Sequence, residues 1–220
     1  MAESPTGQQS GSRLGDRRLY LCTPDRPDLA EFLAACIAGG VDVVQLREKE
    51  LEAGPLLRRA VVARDVCAAA GVPFVLNDRP DLALECGADG VHVGQDDAPV
   101  TLARRILGER AVIGLSTHAP HEWDAADDTA DYFSAGPVNP TPTKPGRPGT
   151  GLSYLEYVSG HDRGRPWFVT GGATPETIPA MADAGARRFV VVRYLTESAD
   201  PEAAARRLRA AIDPYWAAPA

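Results

Sequence analysis

No stretch of this chain stays apolar for the roughly 20 residues that a membrane-spanning helix needs, so the sequence predicts a soluble protein with no membrane partner. The segment from Met1 to Asp16, rich in serine, glycine and glutamine, lacks the apolar core of a secretion signal. It reads as a flexible leader, and the expected location is cytoplasmic. Cysteine is scarce as well. Cys22, Cys36, Cys67 and Cys86 stand without metal-ligand spacing, three of them in apolar helix or strand contexts, so buried free thiols are expected rather than a redox or metal centre. With a formal net charge of −7, the chain has no extended basic face of the kind that nucleic-acid binding requires. A polyanionic ligand therefore has to find a local positive pocket. No fixed-period repeat stands out, which removes the ground for a solenoid.

What is present is an alternation. The β-rich runs Leu19–Thr23, Val41–Leu46, Phe74–Asn77, Gly90–Val93, Val112–Ser116, Tyr132–Ala135, Trp167–Thr170 and Phe189–Val192 are separated by helical patterns. The clearest of these are Leu29–Ala38, Leu56–Ala70, Leu82–Cys86, Val100–Leu107, Glu176–Ala184 and Pro201–Ile212; the fifth and sixth helices read as short. Strand and helix in turn imply parallel strands, because a parallel connection must cross back over the sheet. Eight such units in 220 residues predict a single α/β domain, a closed (β/α)₈ barrel over residues 17–213, with residues 1–16 as leader and 214–220 as a tail. A doubly wound open sheet is the alternative, since counting strands does not prove closure.

The unusual polar residues gather at one end of these strands. Gln45-Leu46-Arg47-Glu48-Lys49 ends the second, Asn77-Asp78-Arg79 the third, Gly94-Gln95-Asp96-Asp97 the fourth, Ser116-Thr117-His118 the fifth and Gly171-Gly172 the seventh. In a barrel these carboxyl ends share one rim, where active sites of this fold are built. Gln45, Arg47 and Lys49 alternate, so extended backbone sets them on one side with Leu46 and Glu48 on the other. Taken alone, Arg47-Glu48-Lys49 is better read as a solvated charge run. The loop Gly136-Pro137-Val138-Asn139-Pro140-Thr141-Pro142-Thr143-Lys144, continuing to Leu152, combines hydroxyls, cations and glycine in the manner of an anion-binding loop. Gly171-Gly172 suits backbone binding of phosphate, and a tight turn into the next helix explains it too.

Five of these motifs, Gln45 to Lys49, Asn77-Asp78, Gly90 to Asp97, Gly136 to Lys144 and Gly171-Gly172, closely resemble the thiamine phosphate synthase family in the same order. The resemblance spans about Leu19 to Leu208. It implies a (β/α)₈ TIM barrel that joins 4-amino-2-methyl-5-hydroxymethylpyrimidine diphosphate to 4-methyl-5-hydroxyethylthiazole phosphate, releasing diphosphate. The family's diphosphate leaves before the thiazole nitrogen attacks, so the implied task is to stabilise charge on the leaving group, with Mg²⁺ as cofactor.

By the same resemblance, Asp78 and Asp97 hold the metal, while Asp96 is expected to face away from it. Gln45, Arg47, Lys49, Asn77, Ser116 and Lys144 bind the pyrimidine diphosphate, and Arg47, Lys49 and Lys144 act on the leaving group. Thr141, Thr143, Gly172, Val192 and Arg193 take the thiazole phosphate. Many members of the family carry serine where this chain has Arg193, which leaves the role of that side chain open. His118 is expected to be a loop or helix-start residue, although related barrels use a histidine in this region for thiazole tautomerisation. His92 receives no role. A thiazole phosphate tautomerase and a non-catalytic phosphate-binding barrel are the alternative functions, and a homo-oligomer remains open.

Overall fold

The computed structural model describes residues 14–140 and 148–216. Its elements are β1 (Leu19–Thr23), α1 (Leu29–Ala38), β2 (Val43–Leu46), α2 (Ala53–Ala70), β3 (Phe74–Asn77), α3 (Pro80–Cys86), β4 (Gly90–Val93) and α4 (Val100–Leu107). They continue with β5 (Val112–Thr117), α5 (Pro120–Asp124), β6 (Tyr132–Ala135), α6 (Gly151–Gly160), β7 (Trp167–Val169), α7 (Ile178–Asp183), β8 (Phe189–Val191), α8 (Arg193–Thr196) and α9 (Pro201–Trp216). Each strand pairs in parallel with the next, and β8 returns to β1, so the sheet closes and the open-sheet alternative falls. The seam between β7 and β8 is short, with Val169↔Phe189 as its register pair. No helix among the described residues is long and apolar enough to cross a membrane.

The expected strands hold to within one or two residues. The fifth helix is short, with 5 residues, but the sixth is a full helix of 10 residues. Its Gly and Ser content masked it; burial of Tyr154, Leu155 and Val158 against the barrel overrides that weak intrinsic propensity. Arg193, expected at the end of the eighth strand, instead opens α8. Leu14 lies within the stretch read as leader, yet it is 0% exposed. At the other end α9 passes the expected boundary at Asp213 and reaches Trp216, whose ring stacks with the guanidinium groups of Arg18 and Arg188, at 4.9 and 4.8 Å.

The period-two pattern of the strands separates two cores. Outward residues such as Leu19, Leu21, Val44, Leu46, Phe74, Leu76, Val91 and Val93 join the helix faces in one large apolar cluster. Inside the barrel, Leu14, Tyr20, Val43, Val75, Val112, Tyr132 and Phe168 fill the lower half. One step higher the inward positions turn polar, and Cys22, Gln45, Asn77, His92, Ser116 and Ser134 are all buried. The register puts these residues side by side, as Cys22↔Gln45, Asn77↔His92 and Ser116↔Ser134.

Gly114 makes room for this layer. A Cβ there would stand 2.1 Å from Tyr132 Cζ and 2.4 Å from His92 Nδ1, so the missing side chain is the space in which those two residues meet. Gly114→Ala is expected to cost about 1–3 kcal/mol through overpacking. Urea unfolding should show a lower midpoint with an unchanged slope.

Candidate active site

The carboxyl ends of the strands open into a cavity of about 330 Å³. On the β2 side, the Arg47 N–H donates to the Thr23 carbonyl at 2.8 Å and prolongs the extended backbone past Leu46. Alternation therefore persists. Gln45, Arg47 and Lys49 line the cavity, Leu46 lies in the outer core, and the Glu48 carboxylate accepts the backbone N–H groups of Asp25 and Glu50 at 3.3 and 2.9 Å. Arg47 and Lys49 thus border the cavity, although Lys49 keeps about half its side chain in solvent.

Asp78 occupies an unusual backbone position. Its φ is 60°, in the left-handed region, while the Arg79 N–H spans it to the Asn77 carbonyl at 2.8 Å. Such a three-residue turn costs on the order of 1–3 kcal/mol for a residue with a side chain. Its own N–H is tied to the His92 carbonyl at 2.8 Å, which fixes the turn and leaves the carboxylate on the cavity wall. Lys49 Nζ stands 2.8 Å from Asp78 Oδ2. Asp97 also lines the cavity, oriented by the Gly94 N–H at 2.8 Å, whereas the neighbouring Asp96 is exposed and outside it.

The two carboxyls both line the cavity and each shifts the other's titration. Burial, reinforced by the charge of Asp97, raises the Asp78 carboxyl above the ordinary range despite the opposing pull of Lys49. Burial also works against the Asp97 carboxylate, but bonds from the Asp78 carboxyl and the Gly94 N–H, together with Lys49, outweigh it and hold Asp97 low. Two neighbouring carboxylates repel each other, and a cation set between them relieves that repulsion. Among the described residues no group of three or more metal-ligating His, Cys, Asp or Glu side chains forms. The donor set is thus two carboxylates with room for outside oxygens, which fits a hard divalent ion held jointly with a phosphate-bearing ligand.

Beneath these groups runs a buried hydrogen-bonded chain. Cys22 Sγ donates to Gln45 Oε1 at 3.1 Å, Gln45 Nε2 donates to the Tyr20 hydroxyl at 2.9 Å, and the Tyr20 and Tyr132 oxygens are 2.9 Å apart. His92 Nδ1 meets the Tyr132 oxygen at 3.0 Å and His92 Nε2 meets Ser116 Oγ at 2.8 Å, with the Ser134 hydroxyl donating to Ser116 Oγ at 3.3 Å. Desolvation keeps both phenols protonated by pushing them well up from the usual tyrosine range. The cysteines are buried free thiols as expected, with Cys36 and Cys67 pushed up to about 12 by burial.

The opposite wall comes from β7, β8 and the root of the long loop. Gly171 and Gly172 have φ values of 94° and 90°, and a Cβ on Gly172 would come within 2.8 Å of Asn139 Nδ2. The backbone N–H groups of Val138 and Asn139 donate to the Thr170 and Gly171 carbonyls at 2.8 and 3.3 Å, so the loop's first residues are laid along the double glycine. Val192 and the exposed Arg193 complete this wall. Thr141, Thr143 and Lys144 lie outside the described residues. His118 lies between β5 and α5; its N–H donates to the Glu122 carboxylate at 2.7 Å and its Nδ1 meets the Gly136 carbonyl, the contacts of a loop and helix-start residue.

A sequence model described as thiamine monophosphate synthase matches residues 19–195. The chain belongs to that family. The thiamine-phosphate synthase of Mycolicibacterium smegmatis is 48% identical over 213 residues, covering 91% of this chain and 94% of that protein. The thiamine-phosphate synthase of Thermobifida fusca is 50% identical over 202 residues, covering 90% and 93%. Among solved structures, the thiamine phosphate pyrophosphorylase from Pyrococcus furiosus aligns at a TM-score of 0.82 and 25% identity, over 92% of this chain and 98% of that one.

Gln45, Arg47, Lys49, Asn77, Asp78, Asp97, Ser116, Gly172, Val192 and Arg193, the expected synthase-family residues that lie among the described ones, all line the single cavity described above. Sequence reasoning missed Tyr20, Cys22, Tyr132 and Ser134 and gave His92 no role. Their signal was the period-two continuation of Val43-x-Gln45 and Gly114-x-Ser116 onto the neighbouring strands, legible only once the register is known.

Because a proton on Asp78 competes with a divalent cation for the carboxylate, the cation's affinity is expected to fall as pH is lowered into the raised range of Asp78. Below that range Asp78 is protonated and the ion competes with the proton; above it the competition ends. Calorimetric titration of Mg²⁺ with diphosphate in buffers of different ionisation enthalpy should detect proton release, and Asp78→Asn should remove it.

Proposed function

We propose that this enzyme transfers the pyrimidinylmethyl group of 4-amino-2-methyl-5-hydroxymethylpyrimidine diphosphate to the nitrogen of 4-methyl-5-hydroxyethylthiazole phosphate, giving thiamine phosphate and diphosphate. The observation that carries this reading is the convergence of two different anion walls on one cavity: a carboxylate and cation set from β2, β3 and β4, and a glycine and arginine set from β7 and β8. A thiazole tautomerase has no use for Asp78, Asp97 and Lys49. A phosphate-sensing barrel has no use for two facing carboxylates.

Asp78 and Asp97 are the residues that would hold Mg²⁺, which when bound neutralises charge on the diphosphate oxygens. Arg47 and Lys49 face the same side and add positive charge to the leaving group as its bond to the methylene carbon lengthens; Lys144 of the long loop is assigned the same task. Gln45, Asn77 and Ser116 receive the pyrimidine ring deeper in the cavity, where burial strengthens each hydrogen bond. The thiazole phosphate is assigned to Gly172, Val192 and Arg193 with Thr141 and Thr143, which places the thiazole ring over the pyrimidine at the rim. Arg193, on the edge of this wall, supplies a charge-assisted contact where a serine hydroxyl is usual in the family. Departure of diphosphate before attack makes orientation and charge stabilisation the whole task, and no strong base is required.

An assay of diphosphate release tests the reading directly: turnover should require both substrates and Mg²⁺. Asp78→Ala and Asp97→Ala should each abolish it while circular dichroism shows the fold retained; near-normal turnover in either variant removes that residue from the metal set. A separate test addresses the order of bond breaking. Replacing the pyrimidine methyl group with trifluoromethyl withdraws electrons from the developing cation, so single-turnover rates should fall by well over about tenfold, each tenfold being about 1.4 kcal/mol of barrier. An unchanged chemical step would favour direct displacement by the thiazole nitrogen.

A further inference from the structure

The buried chain under the cavity has a direction, and direction decides what its two ends offer a ligand. At one end the Cys22 thiol is 3.1 Å from Gln45 Oε1; a thiol donates, so the amide oxygen is fixed there as acceptor and Nε2 faces the Tyr20 hydroxyl at 2.9 Å. The Tyr20 oxygen, accepting from Gln45, gives its proton to the Tyr132 oxygen at 2.9 Å. Tyr132 in turn donates to His92 Nδ1 at 3.0 Å. If the imidazole is neutral, its proton is then on Nε2, 2.8 Å from Ser116 Oγ. Ser116 Oγ also accepts the Ser134 hydroxyl at 3.3 Å, so its own hydrogen has to point elsewhere, and Ser116 lines the cavity.

We infer that Tyr20, Tyr132 and His92 are positioning residues of a one-way hydrogen-bond relay that makes the Gln45 amide and the Ser116 hydroxyl paired donors toward acceptor atoms of the bound heterocycle. The relay itself rests on geometry; its use in catalysis rests on the proposed synthase reading. A full reversal requires the Gln45 amide to turn over, setting Nε2 against a thiol sulfur, a weak acceptor, while reversal of the Tyr132–His92 part alone moves the imidazole proton to Nδ1 and leaves one tyrosine proton with no acceptor in the chain. Gly114 supports the assignment independently, since its absent side chain is the space that Tyr132 and His92 share. Both tyrosines are buried, at 1% and 0% exposure, so a phenylalanine in either place keeps the ring packing and removes only the relay oxygen. Hydrogen bonds in series reinforce one another, so the two donors should act as a unit although they stand on β2 and β5.

A mutant cycle separates this role from ordinary packing. In the otherwise unchanged enzyme, Gln45→Ala and Ser116→Ala combined should lower kcat/KM for the pyrimidine diphosphate by about tenfold less than the product of the single losses, the mark of coupled residues. In a Tyr132→Phe background, or Tyr20→Phe should that variant fail to fold, the losses should multiply to within about twofold. KM for the thiazole phosphate should change by less than about twofold throughout. As a readout independent of turnover, ¹⁵N spectra of imidazole-labelled enzyme should show neutral His92 protonated on Nε2, with Tyr132→Phe shifting protons onto Nδ1. Multiplicative losses in the unmodified background, or His92 carrying its proton on Nδ1, overturn the relay. An unmodified enzyme that releases no diphosphate from the two substrates defeats the synthase reading instead, and the spectra still decide the direction of the chain.

Discussion

Closure of the parallel sheet is the constraint on which everything else depends. Once β8 pairs with β1, every strand has an inside and an outside, and the period-two alternation of the sequence becomes a radial coordinate. Outside, that coordinate produces the apolar layer under the helices. Inside it produces tiers, an apolar lower half and a polar layer above it, and only the upper tier is open to ligands. The polar tier is therefore positioned by strand register, and beyond the strand ends the loop backbone takes over, as at Asp97, held by the Gly94 N–H, and at Asp78 with its φ of 60°.

Charge is handled by the same geometry. The negative groups that matter, Asp78 and Asp97, come from neighbouring strands, and Lys49 crosses to them from the strand before. Their mutual repulsion is offset in part by Lys49, and on the proposed assignment a divalent ion held with a phosphate ligand would relieve the rest. A chain with a net charge of −7 can thus take a polyanion, because the positive groups are concentrated where the strands end.

Much of this was legible in the sequence. The eight strands could be placed because β-branched runs alternate with helical spacing, and the rim residues because polar clusters recur after those runs. Charged and amide side chains at strand ends are conspicuous. Inward aromatic residues are not: nothing in the sequence sets Tyr20 and Tyr132 apart, and they lie in the core with their hydroxyls joined to the buried chain beside Gly114. The sixth helix was underestimated because its Gly and Ser residues weaken the local signal that tertiary burial restores. Leu14 was assigned to the leader because one leucine among polar residues gives no period, and its burial is set by contacts with strands distant in the chain. The assignment of Thr141, Thr143 and Lys144 in the long loop rests on the motif alone.

The apolar lower half, with Leu14 beneath it, makes the cavity blind. A vessel with one mouth imposes traffic rules. Whatever sits on the polar tier must arrive first and depart last, and whatever sits at the rim is also its stopper. On the proposed assignment the thiazole is that stopper, so the cation formed below it meets the thiazole nitrogen before it can meet bulk water. Fidelity of transfer over hydrolysis then follows from the order of seating and from the plugged floor, with no residue set aside to repel water.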